Sequence, residues 1–303
     1  MNFSLKQALK VLVVFACAVG VVGTSVMITN KNTDNAKNKN DSLWNVVDGD
    51  SNSDDNNTST DYKVGDIVSK TESQVGKYAD IDGNGTVDGV IFADLMVGGS
   101  GTWNPNNYSW GTDTGAYSIP TISSSKDYCV SQKNYTNELG GTADVLTPTG
   151  EGNDRFYVMA LKDINDHYSW YDAAYEKIND YNTVTSEEFG TGRQNTLTMI
   201  DKWNSEEYGE QNANQLYHDV FGKIQDEVNK GWFMPSRAEW AAFGSMLNVT
   251  EANCTEKGLE FNYFSSSLKD STHVYSFCVM GLGLRYGSIN NTGSTATKLA
   301  TTF

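Results

Sequence analysis

Asp80-Ile-Asp-Gly-Asn-Gly-Thr-Val-Asp88-Gly89 is the segment whose residue types and spacing could do chemistry, and that chemistry is cation binding. Oxygen donors stand at alternate positions and Gly85 supplies a tight turn, the arrangement of the first nine places of a calcium loop. In that reading Asp80, Asp82 and Asn84 offer side-chain oxygens, Thr86 its carbonyl, and Asp88 a direct or water-bridged contact. The twelfth place, where a bidentate Glu belongs, is Ile91, so the strongest ligand is missing. The other reading is an Asx-rich hairpin turn, because Asn-Gly and Asp-Gly are favoured there. Ca2+ held here would brace the fold; no cofactor is required.

The remaining reactive residue types are not organised for catalysis. His167, His218 and His273 are scattered without metal-ligand spacing, and no nucleophile elbow or HExxH motif gathers the Ser, Asp and Glu residues. Gly98-Gly-Ser-Gly-Thr102 reads as a loop, without the Lys or helix start of a phosphate cradle. Cys129, Cys254 and Cys278 contain no CxxC spacing. They read as small buried residues, with a disulfide between two of them as the alternative. The chain therefore reads as a binder, not an enzyme. A net charge of −16 argues against nucleic acid, whose phosphates need Lys and Arg patches.

The elements that must position these residues begin after an address. Val11 to Ile28 is an apolar run behind Lys6 and Lys10, and as a helix it would reach roughly 27 Å, near the ~30 Å hydrocarbon core. Residues 1–29 thus read as a signal peptide or a transmembrane anchor, and the flanking Lys residues predict export of the rest of the chain. Cys17 as a lipid acceptor fits poorly, because Phe15 is bulky. Residues 30–61 are a disordered polar linker rich in Asn, Asp, Ser, Thr and Lys. The expected location is the cell surface, membrane-anchored or secreted.

Sixteen Tyr, 12 Phe and 7 Trp against only 4 Pro suggest a loop-rich domain with an aromatic core. Residues 62–150 form a β-rich segment that carries the acidic loop, with Val90–Val97 a buried strand and Trp103–Pro148 irregular. Arg155–Leu161 alternates as a strand. Helical spacing predicts helices over Ser169–Ile178, over Asn195–Trp203 with Leu197, Ile200 and Trp203 buried, and over Gln215–Lys230, which Gly231 ends as the C′ residue. Ser236 and Glu239 form a capping box for another helix through Ala241, Phe243, Gly244 and Leu247.

Gly231-Trp-Phe-Met-Pro-Ser-Arg-Ala-Glu-Trp240, Tyr263-Phe-Ser-Ser-Ser267 and Leu299-Ala-Thr-Thr-Phe303 together resemble bacterial and phage surface domains. These have a C-type-lectin-like fold of the formylglycine-generating-enzyme type, and the match is nearest to the variable target proteins of diversity-generating retroelements. The resemblance covers about Arg155 to Phe303. It implies an α+β fold over 151–303 with a twisted antiparallel sheet, two or more helices and long loops. It also implies a variable face that takes a protein or glycan ligand at a cell or phage surface. On this chain the candidates are Lys269, Asp270, Thr272, His273, Tyr275, Phe277, Arg285, Tyr286, Ser288, Asn290, Asn291 and Thr292. Substitution at template adenines does not reach Lys, Glu, Gln, Met or Trp, and between Asp270 and Thr297 only Met280 belongs to that set. Trp232, Pro235, Trp240 and Phe243 are expected to form a rigid platform beneath. Val274, Ser276 and Cys278 are expected inward, and Tyr275 and Phe277 outward. Two other functions remain open: a non-diversified structural or adhesive surface domain, or an oxidase of the formylglycine-generating type. The latter needs a reactive cysteine pair, for which Cys254 and Cys278 are the candidates.

Overall fold

Val90, Phe92 and Met159 point to one apolar cluster while Ile91, Phe156 and Val158 point to another, because the sheet that carries them is covered on both faces. The computed structural model describes residues 62–103, 115–168, 185–204, 220–250, 252–260, 262–270, 273–278, 283–288 and 295–303. These belong to one compact unit, Asp61–Phe303. The fold is mixed α+β, mostly sheet, with four short helices among the described residues.

The strands are β1 (Tyr78–Ala79), β2 (Gly89–Asp94), β3 (Gly99–Trp103), β4 (Gly115–Ile119), β5 (Tyr128–Asn137), β6 (Gly141–Pro148) and β7 (Phe156–Ala160). They continue as β8 (Ile164–Tyr168), β9 (Asn262–Asp270), β10 (His273–Cys278), β11 (Gly283–Ser288), β12 (Thr295–Thr297) and β13 (Ala300–Thr302). A six-stranded sheet runs β13-β7-β2-β1-β6-β5, a five-stranded sheet runs β11-β10-β9-β12-β8, and β3 pairs with β4. Each large sheet is antiparallel except for one parallel pair, β1 with β6 and β9 with β12. The first large sheet takes strands from both sides of residue 150.

Two bent ladders join the large sheets. β7 leads into β8 and β12 into β13, and the four pair in step, Ala300 with Met159 and Thr297 with Ile164. At the bend, buried Lys298 pairs with Asp163, and its ammonium donates to the Ala160 and Leu161 carbonyls. Tyr263 donates its hydroxyl to the same Asp163 at 2.8 Å. Burial pushes the Lys298 ammonium below its usual range, opposed by the Asp163 charge. At the far end of β7, Arg155 grips Asp94 through two 2.8 Å hydrogen bonds and also donates to the Ser69 and Glu72 carbonyls. Both partners are buried, and the guanidinium joins the end of β2 to the bend at Ser69–Glu72, so the pair sets how the segment before β1 lies on the sheet.

The helices are α1 (Gly192–Trp203), α2 (Val220–Lys223), α3 (Gln225–Asn229) and α4 (Arg237–Met246). Gly231 follows the α3 C-cap with φ +101°, the left-handed C′ geometry read from the sequence. α1 starts three residues before the expected Asn195, and its buried side differs from expectation. Leu197 is 38% exposed, while Asn195, Thr196, Met199 and Ile200 are buried. Thr196 accepts the Met234 N–H, and Asn195 donates to the Ser186 carbonyl and Ser266 hydroxyl, so polar contacts with distant segments turn the helix.

Two loop expectations are corrected. Gly99–Trp103 and the stretch after residue 114 form strands, because pairing of β3 with β4 and of β5 with β6 satisfies their backbones. The outer half of β5 alternates between exposed and half-buried polar residues, which gave no hydrophobic period to read. The Ser169–Ile178 helix lies outside the described residues. So do the apolar run of residues 11–28 and the polar linker. Among the described residues no helix is long and apolar enough to cross a membrane.

The core tightens around Phe277, whose ring stacks between Trp103 and Trp240 with both centroids 4.6 Å away. Trp103 lies on Gly244, where a Cβ would come within 2.6 Å of the indole. Phe277→Ala is expected to cost roughly 3–5 kcal/mol in chemical denaturation of the full chain. Leu197→Ala should stay within about 0.5 kcal/mol. Equal effects from the two changes would contradict this packing.

Candidate functional site

The capping box at the start of α4 is present as the sequence predicts, and it does more than end a helix. Glu239 is buried, and its carboxylate accepts the Ser236 N–H at 2.7 Å, the Gly190 N–H at 3.0 Å and the Gly192 N–H at 3.3 Å. Gly190 has φ +90°, and a Cβ on Gly192 would collide with the Glu239 carboxylate. One side chain therefore ties α4 to the turn that starts α1. Burial pushes the Glu239 carboxyl up to about 7, with the three backbone donors pulling the other way.

The hydroxyl-rich Ser265-Ser266-Ser267 run is a buried bulge in β9. Val274 faces Leu268 but Ser276 faces Phe264, so β9 spends two extra residues there. The three side chains hold the surrounding segments. Ser265 donates to the Tyr275 carbonyl at 2.7 Å, and Ser267 donates to the Ser186 carbonyl at 2.7 Å while accepting the Arg237 N–H. Ser266 donates its N–H to the Pro235 carbonyl at 2.8 Å. Trp240 and Phe243 are fully buried in this platform, Pro235 is buried, and Trp232 is half-buried against the neighbouring cluster.

The candidate contact residues divide against this frame. Phe277, expected outward, is core. Tyr275, also expected outward, is only 6% exposed and lies under the Arg237 guanidinium, 4.0 Å from ring centre. Val274 and Ser276 are inward as expected. The correction has a physical cause: the five-stranded sheet is covered on both faces of β10, so inward and outward positions are both buried. β11 pairs with β10 through Tyr286 opposite Tyr275 and Arg285 opposite Ser276, and it is the edge of its sheet among the described strands. Lys269, Asp270, His273, Arg285, Tyr286 and Ser288 have their backbones in β9, β10 or β11, and their side chains lie outside the described residues. Thr272, Asn290, Asn291 and Thr292 lie wholly outside them, as does His218.

The acidic segment is the loop of a hairpin, with Ala79 opposite Gly89 and Tyr78 opposite Val90. Its hydrogen bonds run in steps: Gly85 N–H to Asp80 at 3.0 Å, Asn84 N–H to Asp82 at 3.1 Å, and Thr86 N–H to Asn84 at 2.7 Å. Asp88 accepts the Ile81 N–H at 2.8 Å, closing the loop. Carboxylate oxygens of Asp80, Asp82 and Asp88 lie within 4.8 Å of one another. Burial holds the Asp88 carboxyl above its usual range, and the charges of Asp82 and Asp80 add to the shift. Asn84 also donates its side-chain amide to Asp82 at 2.8 Å, and Thr86 lies beside it on the exposed rim of the loop. Thr147, on β6, was missed: its hydroxyl is buried 3.2 Å from where a Cβ on Gly83 would stand. No local signal marks a residue about sixty positions away as part of this loop's surroundings.

Cys129 and Cys254 are thiols, not disulfide halves; Cys254 is buried in the aromatic cluster, and the Cys278 side chain lies outside the described residues. Comparison of the chain with family models, with curated proteins and with solved structures returns no match.

Glu239 makes stability depend on pH. Its folded-state value of about 7 exceeds the ordinary 4.5, so the folded chain holds the proton more tightly than the unfolded one. The resulting stabilisation is complete below pH 4.5 and is lost as pH rises through about 7, a change of order 3 kcal/mol. Urea melts across that window should show the decline. In Glu239→Gln the slope should flatten while stability drops throughout, because an amide nitrogen then faces a backbone N–H. Identical slopes in the two proteins would remove Glu239 as the cause.

Proposed function

We propose that this protein is exported and displayed at a surface, where the edge of its C-terminal sheet recognises a protein or glycan. β11 and the residues flanking it carry the contacts, on a C-type-lectin-like frame whose variable positions a retroelement diversifies. The observation that carries this reading is the sharp division at β10. Behind it Phe277, Trp240 and the Ser265–Ser267 bulge are locked in the core, and beyond it stands β11, a sheet edge among the described strands. A frame ordered before binding keeps the entropy cost of recognition low. The residues at and beyond that edge, Arg285, Tyr286, Ser288, Asn290, Asn291 and Thr292, belong to the alphabet of natural paratopes: flat amphipathic rings with adaptable hydrogen-bonding groups. With Tyr275 and Phe277 assigned to the core, the contact set narrows to this edge, the β9–β10 turn and the segment after β11.

A library randomising those six positions tests the reading without a known ligand. If these positions carry contacts and not core packing, most members fold with melting temperatures within a few degrees of the parent, because substitutions outside the core each shift stability by about 0.5 kcal/mol or less. Members selected on glycan or surface-protein panels should differ in what they capture. General unfolding across the library would sink the proposal. A reverse transcriptase gene beside this one, with an imperfect repeat of the last coding segment mismatched only at adenines, would establish the diversification.

A further inference from the structure

We infer that the β1–β2 hairpin loop is a calcium site, built from the side-chain oxygens of Asp80, Asp82 and Asp88 and completed by loop oxygens and water. The site is separate from the recognition edge and serves to lock the hairpin.

The spacing of three carboxylates does not by itself make a site. A second observation points to a ligand: Asp80 is only 3% exposed, yet its Oδ1 atom is buried with no hydrogen-bond partner. A carboxylate oxygen without water or a donor is costly, and a buried carboxylate is ordinarily paired or bound to a metal. The other oxygen of Asp80 is already committed to the Gly85 N–H. Among the described residues no Lys or Arg pairs with Asp80, Asp82 or Asp88, although nearby Lys77 pairs with Asp144. Three like charges are thus held close together with the inner one desolvated and no cation among the described residues to offset them. The Thr147 hydroxyl, which also lacks a hydrogen-bond partner, lies beneath the same loop at Gly83.

Oxygen-only donors, with no His or Cys, select a hard cation. An irregular, mostly exposed loop suits the adaptable coordination of Ca2+ better than the strict octahedron of Mg2+. The place a bidentate Glu takes in a helix-flanked loop falls on Ile91, which here lies in β2 with its side chain in the core. The hairpin ladder therefore replaces the second helix as the element that closes the loop. With one strong ligand fewer, affinity should fall to about 10⁻⁴–10⁻³ M, the range of extracellular modules.

The test compares melting temperatures of the full chain in chelator, in Ca2+ and in Mg2+, with equilibrium dialysis for stoichiometry. At about 10 mM Ca2+ a rise of roughly 5–10 °C is expected, with one ion bound per chain and little response to Mg2+. Asp80→Asn should lose the rise. Asp82→Asn, at an exposed position whose change does not threaten folding, should lose most of it as well. The inference is overturned by a melting temperature indifferent to Ca2+, by an equal response to Mg2+, or by a full Ca2+ response in Asp82→Asn.

Discussion

The buried carboxylate of Glu239 is the contact on which the frame of this protein depends. A charge or proton-bearing group at that depth is tolerated only because backbone N–H groups from three positions converge on it. Those donors come from the start of α4 and from the turn before α1, so one side chain sets the spacing between two helices. α4 in turn packs against β2, β3, β4, β9 and β10, strands drawn from all three sheets. A shift at its first turn would move the surfaces on which each sheet rests.

Polar groups play the same part elsewhere. Lys298 with Asp163 marks the bend where two ladders pass from one large sheet to the other, and Arg155 with Asp94 pins the segment before β1. Such pairs recover little net energy once desolvation is counted. Their directionality is what matters: each satisfies several donors or acceptors in only one arrangement of the segments around it. The apolar clusters supply most of the driving force, and these buried polar contacts select the arrangement in which the clusters close.

That arrangement sets a fully packed strand, β10, beside the outermost described strand of its sheet, β11. Phe277 lies between two indole rings and cannot vary freely, whereas β11, the next strand, is the edge of its sheet among the described strands. Under the proposed function, recognition and folding would fall to neighbouring strands without competing for the same side chains. The acidic hairpin lies on the large sheet that does not contain β10 and β11, so a cation there would act on the stability of the frame.

Features that depend on a residue and its near neighbours were legible in the chain. The Ser236–Glu239 capping box, the left-handed Gly231 after α3, the apolar strands β2 and β7, and the hairpin at Asp80–Gly89 all stem from local backbone geometry or short-range hydrogen bonds. The orientation of Tyr275 and Phe277 was not legible, because a sheet covered on both faces erases the polar–apolar alternation that reveals direction. Nor were the β9 bulge, the polar buried side of α1 or the place of Thr147 beneath the loop. Each is decided by a partner far along the chain, and only the folded structure brings that partner into hydrogen-bonding or van der Waals range.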